Sequence, residues 1–350
     1  MTDIEIYNLA VNVLSMINTD VNESHYTEVD SELKINYGTK NEINASASVL
    51  SGVGKPKIHS IEITYLFLKT LYRDIESYFK YISSGVDDDL VNMMWTGNEH
   101  FEKMLSLTSE NNHIKNTFIS AISWVYFHEL GHLSQDHGRI RGLYADNEMN
   151  IISEMFIDGG CELTSNKSTL WHATELAADF FSTTMCVAEL YRQFDSSNIY
   201  AAINFLSIGL PIVLFRLQGS SFYVEQEAPA GSHPNPLTRL ELMAPLIYEV
   251  LSSPNTEERQ KLVHICGVSV YSVSLFWTRK IYNKPEYPEH FVLHGVSNKD
   301  DILQYLGHVI PVWDEISKDI NDNFNFGSKR MILQFSNSLR SRVNSFQLQN

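Results

Sequence analysis

His128-Glu129-Leu130-Gly131-His132 has the residue types and the spacing for chemistry. On a helix, two histidines four apart project from one face about a turn apart, close enough to hold one metal ion. Glu129 lies between them in sequence and slightly to the side, placed to take a proton from a metal-activated water rather than to bind the metal. Two imidazoles, one further ligand and an open position for water are what a zinc ion needs for hydrolysis. A pattern with two free positions also arises by chance, and then marks only a helix with two ordinary histidines.

A second helical run, from near Ser168 or Thr169 to about Phe194, contains Glu175-Leu176-Ala177-Ala178-Asp179. Glu175 and Asp179 share one face, and the small Ala177 and Ala178 let another helix approach closely. An unpaired buried carboxylate is costly, so these acids either face water or are neutralised by metal and histidine partners. In the second case His128, His132 and Glu175 supply three zinc ligands, and Asp179 accepts the second ring N–H of a ligand histidine. Gly231-Ser232-His233-Pro234-Asn235-Pro236-Leu237-Thr238-Arg239 then opens another helix, with Asn235 as cap and Pro236 at the first helical position. His233 and Arg239 are placed to point into one cleft. His172, three before Glu175, is a rival ligand or a hydrogen-bonded core histidine, and His137 reads as a surface residue.

Several elements must position these groups. Ile4, Leu9, Val11, Leu14 and Ile17 predict an N-terminal docking helix. The stretches 32–37 and 42–49 alternate and are punctuated by Gly38 and Asn41, predicting strands or a hairpin, and 57–63 predicts a further strand. A helix follows from Thr64 to about Ile82, with Leu66, Leu68, Leu71, Ile75 and Phe79 on its core face. Asn111 or Asn112 is the expected cap of the motif helix and Gly138 its stop. The stretch from Arg139 to Asn166 reads as a polar surface insertion, and Asp87-Asp88-Asp89 as a solvated connection or helix start.

Composition excludes several classes. With 43% hydrophobic residues in 350, the chain can bury a large core, as one domain or two. A formal charge of -16 without clustered Lys and Arg argues against binding nucleic acid or an anionic membrane. Cys161, Cys186 and Cys266 make an odd count without C-x-x-C spacing, which fits a reducing cytoplasm and no disulfide framework. The N-terminus has no basic region before an apolar core, so it does not read as a signal peptide. Ile199 to Phe215 and Leu262 to Trp277 approach membrane length but fall short of about 20 apolar residues, so both read as buried helices, with membrane contact left open.

The motifs together resemble the gluzincin metallopeptidases, in particular the branch of HtpX-type and CAAX-prenyl-protease enzymes. That branch pairs an H-E-x-x-H helix with a later E-x-x-x-D helix and a downstream S-H-P-x-x-x-x-R segment, here 128–132, 175–179 and 232–239. Ile43-Asn44-Ala45, the strand at Ile58 to Ile63 and the helix from Thr64 look like that branch's N-A strand and the elements after it. The likeness spans roughly residues 40 to 245 and departs in lacking convincing membrane helices. The chain is also similar to the Lit-type phage-exclusion peptidases, bacterial cytosolic zincins that act on a host protein. The resemblance implies one zinc ion, a protein or peptide substrate and a role in phage defence. It implies that Asn44, Ala45 and Ser46 bind extended substrate as an edge strand. It also implies that His233 and Arg239 act catalytically beside Glu129, where a donor stabilises the oxyanion.

The expected fold is therefore α+β and mostly helical: a zincin-like core with a small N-terminal sheet over residues 1–250, and a helical C-terminal extension over 251–350. The expected function is zinc-dependent endopeptidase. Two alternatives stand beside it, a non-catalytic zinc-fold binding or regulatory module and a membrane-associated processing protease.

Overall fold

The computed structural model describes residues 1–27, 30–51, 57–84, 109–145, 151–153, 165–195, 198–218, 226–249, 256–284, 296–324 and 329–349. The Asp87-Asp88-Asp89 run and Cys161 lie outside them. The chain is mostly helical with one small sheet, an α+β arrangement.

The N-terminal helix α1 (Asp3–Val21) starts at a capping box, in which the Thr2 side chain takes the Glu5 N–H and the Glu5 carboxylate takes the Thr2 N–H. It buries Ile6, Ala10 and Leu14, one residue per turn, whereas Ile4, expected in the core, is 70% exposed. Leu14 is buried as the repeat predicts, and Leu9 and Ile17 pack half-buried against the core.

Strands β1 (Glu32–Gly38), β2 (Ala45–Val49) and β3 (Ile58–Thr64) form a sheet with β4 (Ile151–Ser153) in the order β1-β3-β2-β4. No β1–β2 hairpin forms. The third strand enters between them, parallel to β1 and antiparallel to β2, so that Ile35 and Ala47 both face Ile61 across the ladder. The fourth strand pairs with β2 at Ser46, Ala47 and Ser48, so β2 is not an edge strand. Leu33, Ala45, Ala47, Ile61 and Ile63 are buried. The two central strands pack on the motif helix.

Helix α2 (Tyr65–Ser83) is capped by Thr64, whose hydroxyl accepts the Phe67 N–H, and buries Leu68, Leu71, Ile75 and Phe79 as the spacing predicts, while Leu66 is half-buried and Phe67 takes the core. Two short charge-assisted bonds from Arg216 to the Asp74 carboxylate, 2.6 and 2.5 Å, tie this helix to α6 (Ile199–Gln218). The motif helix α3 (Glu110–Ser134) runs through the middle, with Ile114, Phe118, Ile122, Val125, Leu130 and Leu133 all buried. It starts after Ser109, not at Asn111 or Asn112, and ends well before Gly138. The stop is a tight turn at Gln135–Asp136, where Asp136 takes φ 51°, a left-handed conformation that aspartate tolerates.

Part of the expected surface insertion is a helix, α4 (His137–Ala145). Helix α5 (Ser165–Gln193) lies along α3. The two approach so closely that a Cβ added at Gly131 would meet the Ala178 Cα at 3.2 Å and the Phe181 ring at 3.2 Å, which is the use of the small residues at 177 and 178. Beyond α7 (Pro236–Glu249), α8 (Thr256–Phe276) packs on α6 and α9 (Asp300–Asn323) on α5, and α10 (Asn337–Gln347) covers α9. Among the described residues, α6 is the one helix long and apolar enough to cross a membrane, and 83% of its apolar window is buried inside the protein.

Candidate metal centre

The close packing of α3 on α5 brings two histidines and a carboxylate together. His128 and His132 face each other with their Nε2 atoms 3.0 Å apart. The Glu175 carboxylate closes the triangle, with Oε2 at 3.4 Å from His128 Nε2 and Oε1 at 3.5 Å from His132 Nε2. One ligand atom from each residue lies within 4.8 Å of the others, and all three residues are buried. Burial works to raise the Glu175 carboxyl, but the imidazoles of His233, His132 and His128 beside it outweigh burial and hold it well below the usual carboxylate range. Glu175 is therefore an anion at neutral pH, and its Oε2 has no hydrogen-bond partner. A buried anionic oxygen beside two converging imidazole nitrogens fits a divalent cation such as zinc in donor type and in charge.

Each of these residues is held from behind. Asp179 Oδ1 lies 2.9 Å from His128 Nδ1, one turn along α5 from Glu175. The same carboxylate receives a fork from Arg239, Nε to Oδ2 at 2.8 Å and Nη2 to Oδ1 at 2.6 Å. Trp124, one turn before His128, stacks on its ring at 5.2 Å and is itself fixed by an Nε1–H bond to the Thr183 hydroxyl. Arg239 comes from α7, where Asn235 caps the helix by accepting the Thr238 N–H at 2.8 Å and Pro236 is the first residue. His233, just before the cap, has Nε2 at 3.6 Å from Glu175 Oε1 and Nδ1 at 2.8 Å from the Ser232 hydroxyl. The structure thus brings His128, His132, Glu175, Asp179, His233 and Arg239 to one place, with Arg239 turned onto Asp179. Glu129, on the same turn of α3, is fully buried.

Asn44, Ala45 and Ser46 lie at the start of β2, where Thr64 anchors the chain by giving its N–H to the Asn44 carbonyl and its hydroxyl to that of Glu42. His172 does not join the ligand group. Its Nδ1 meets the Tyr305 hydroxyl at 3.0 Å and its Nε2 the Ala230 carbonyl at 3.1 Å, and burial pushes its pKa down to about 3.

Two residues that sequence reasoning passed over stand against the ligands. His137, read as surface, is fully buried, with Nδ1 at 2.8 Å from His132 Nδ1. Burial drives its pKa well below the usual histidine value, so it is neutral. Arg141 donates from Nη2 to Glu175 Oε1 at 2.6 Å. Their i, i+4 spacing directly after the motif was the available signal, hidden by reading that stretch as a loop.

A family model described as peptidase U49 matches residues 64–266, more than half of the chain, and its span includes α2, α3, α5 and α7. No curated protein and no solved structure matches the chain.

Proposed function

Because the chain belongs to the peptidase U49 family, we propose that it is a zinc-dependent endopeptidase of gluzincin type, built on a zincin-like core, with His128, His132 and Glu175 holding one ion. The observation that carries this reading is the convergence of those three buried side chains around a Glu175 oxygen that has no hydrogen-bond partner. A zinc ion held there would polarise the scissile carbonyl and lower the pKa of a water toward neutrality. Glu129, between the two histidines on α3, takes the water's proton and delivers it to the leaving amine nitrogen. Asp179 accepts the Nδ1 proton of His128 and so keeps that ring's Nε2 free to ligate. Arg239 balances the Asp179 charge and fixes its orientation. His233 stands on the Glu175 side of the centre, where its ring N–H serves the oxyanion as the carbonyl is attacked.

The substrate is a protein or peptide. Asn44, Ala45 and Ser46 contact it through the main chain in this reading, and the added strand takes the place of β4, which already pairs with β2 at Ser46. A cytoplasmic setting and a part in bacterial phage defence rest in this reading on the motif resemblance alone. Residues 1–250 form the catalytic part, and the helices after 251 brace it. A non-catalytic zinc-fold module would have no use for Glu129 between the ligands. A membrane-associated processing protease would need spans, and among the described residues the one helix long and apolar enough, α6, is mostly buried inside the protein.

The test compares the proteins of cells expressing wild type with those of cells expressing Glu129→Gln, by labelling new N-termini. New termini only with wild type support the reading and name the substrate. Identical termini in both would remove it.

A further inference from the structure

Helix α4 begins five residues after His132 and turns two side chains back onto the metal ligands. Its reversal depends on the two-residue Gln135–Asp136 turn, held by the Gln135 N–H on the Gly131 carbonyl and by the Gln135 side-chain amide on the Ala177 carbonyl. His137 and Arg141 then lie four apart on one face, with Ile140 between them fully buried.

Arg141 is 2% exposed and held at three points. Its Nη2 donates to Glu175 Oε1 at 2.6 Å, its Nε donates to the Thr174 hydroxyl oxygen at 2.9 Å, and its guanidinium lies over the Trp171 ring at 5.1 Å. The Thr174 hydroxyl spends its own proton on the Leu170 and Trp171 carbonyls, which leaves its lone pair for Arg141. A charge-assisted bond this short claims one carboxylate oxygen and leaves the other, Oε2, facing His128.

Only one hydrogen fits between His132 Nδ1 and His137 Nδ1 at 2.8 Å. For His132 Nε2 to keep a lone pair, that hydrogen must belong to His132 and be accepted by His137, whose own proton then sits on Nε2. His128 has a carboxylate in this place, Asp179. The two ligand histidines therefore have different groups behind them, a carboxylate at His128 and an imidazole at His132.

We propose that Arg141 and His137 are positioning residues of the metal centre: Arg141 limits Glu175 to a single ligating oxygen, and His137 fixes His132 in the ligating tautomer. This rests on the zinc reading above. Arg141→Met, Arg141→Lys, His137→Phe and His137→Gln are compared with wild type and Glu175→Ala. The readouts are zinc affinity against a chromophoric chelator, X-ray absorption of the zinc-loaded protein, and circular dichroism as a check of fold.

Arg141→Met should add an oxygen to the zinc shell, as both Glu175 oxygens reach the ion, and Arg141→Lys should not restore the wild-type shell, because a point charge cannot span Thr174 and Glu175 together. His137→Phe should weaken zinc by about 10–100-fold, the usual cost of losing such a partner, and His137→Gln, whose amide oxygen can accept, should recover most of it. If Arg141→Met does not fold, Arg141→Gln carries the same shell measurement. A wild-type affinity and an unchanged shell in Arg141→Met and His137→Phe would overturn the inference alone. A wild type that binds no zinc, or a Glu175→Ala protein that binds it as well, would overturn the zinc reading with it.

Discussion

Replacing Asp179 by Asn keeps the shape of the side chain and removes the charge that sits between Arg239 and His128. Asp179 is fully buried and Arg239 is 3% exposed, so the substitution takes from a buried guanidinium the carboxylate that receives both arms of its fork. Breaking a buried ion pair from one side costs about 3–5 kcal/mol, since the stranded charge carries most of the penalty. At roughly 2.1 cal/mol/K of unfolding entropy per residue, a chain of 350 residues should lose about 4–7 °C of melting midpoint. Arg239→Gln should cost a similar amount by stranding the carboxylate. The double variant, with no charge left, should be less destabilised than the sum of the two by about 2 kcal/mol or more, because the stranded-charge penalties vanish together. The assay is urea unfolding at pH 7.5 with a chelator present, so that metal affinity does not enter. Single variants within about 0.5 kcal/mol of wild type, or a double variant that is simply additive, would refute the ion-pair argument.

Acid should destabilise the fold before its carboxylates titrate. Burial holds His172 at a pKa of about 3, below the ordinary 6.5, so the unfolded chain takes up a proton that the folded one refuses. Its contribution is present above pH 6.5 and is lost as pH falls toward 3, costing roughly 2–3 kcal/mol by pH 4.5 at about 1.4 kcal/mol per unit. Unfolding midpoints at pH 7 and 4.5 should converge by that amount in His172→Gln, and an unchanged slope would reject the assignment. Gly131→Val should push α3 from α5, because the added carbons meet the Ala178 backbone. A loss of about 1–3 kcal/mol is expected, with lower zinc occupancy by atomic absorption, and full occupancy at wild-type stability would count against the close packing.

The ligands were legible because metal binding demands donor types at helical spacing, and His128, His132, Glu175 and Asp179 all obey one period. The small residues between Glu175 and Asp179 also announced the helix packing that Gly131 completes. The strand order was not legible, since the placement of β3 between β1 and β2, and of β4 on β2, rests on pairings far apart in sequence. The end of α3 was misplaced because a left-handed aspartate, not a glycine, makes the turn. That error hid His137 and Arg141, which look like surface residues until the turn folds them inward. Arg239 was expected to face the reaction. Nothing in its spacing could show that Asp179 would occupy both arms of its fork.

The central claim is tested most directly by zinc content in the purified wild type, His128→Ala and Glu129→Gln proteins, measured beside cleavage of the same substrate. The account predicts one zinc with cleavage in wild type, one zinc without cleavage in Glu129→Gln, and neither in His128→Ala. Cleavage that survives in Glu129→Gln, or zinc that survives in His128→Ala, would contradict it.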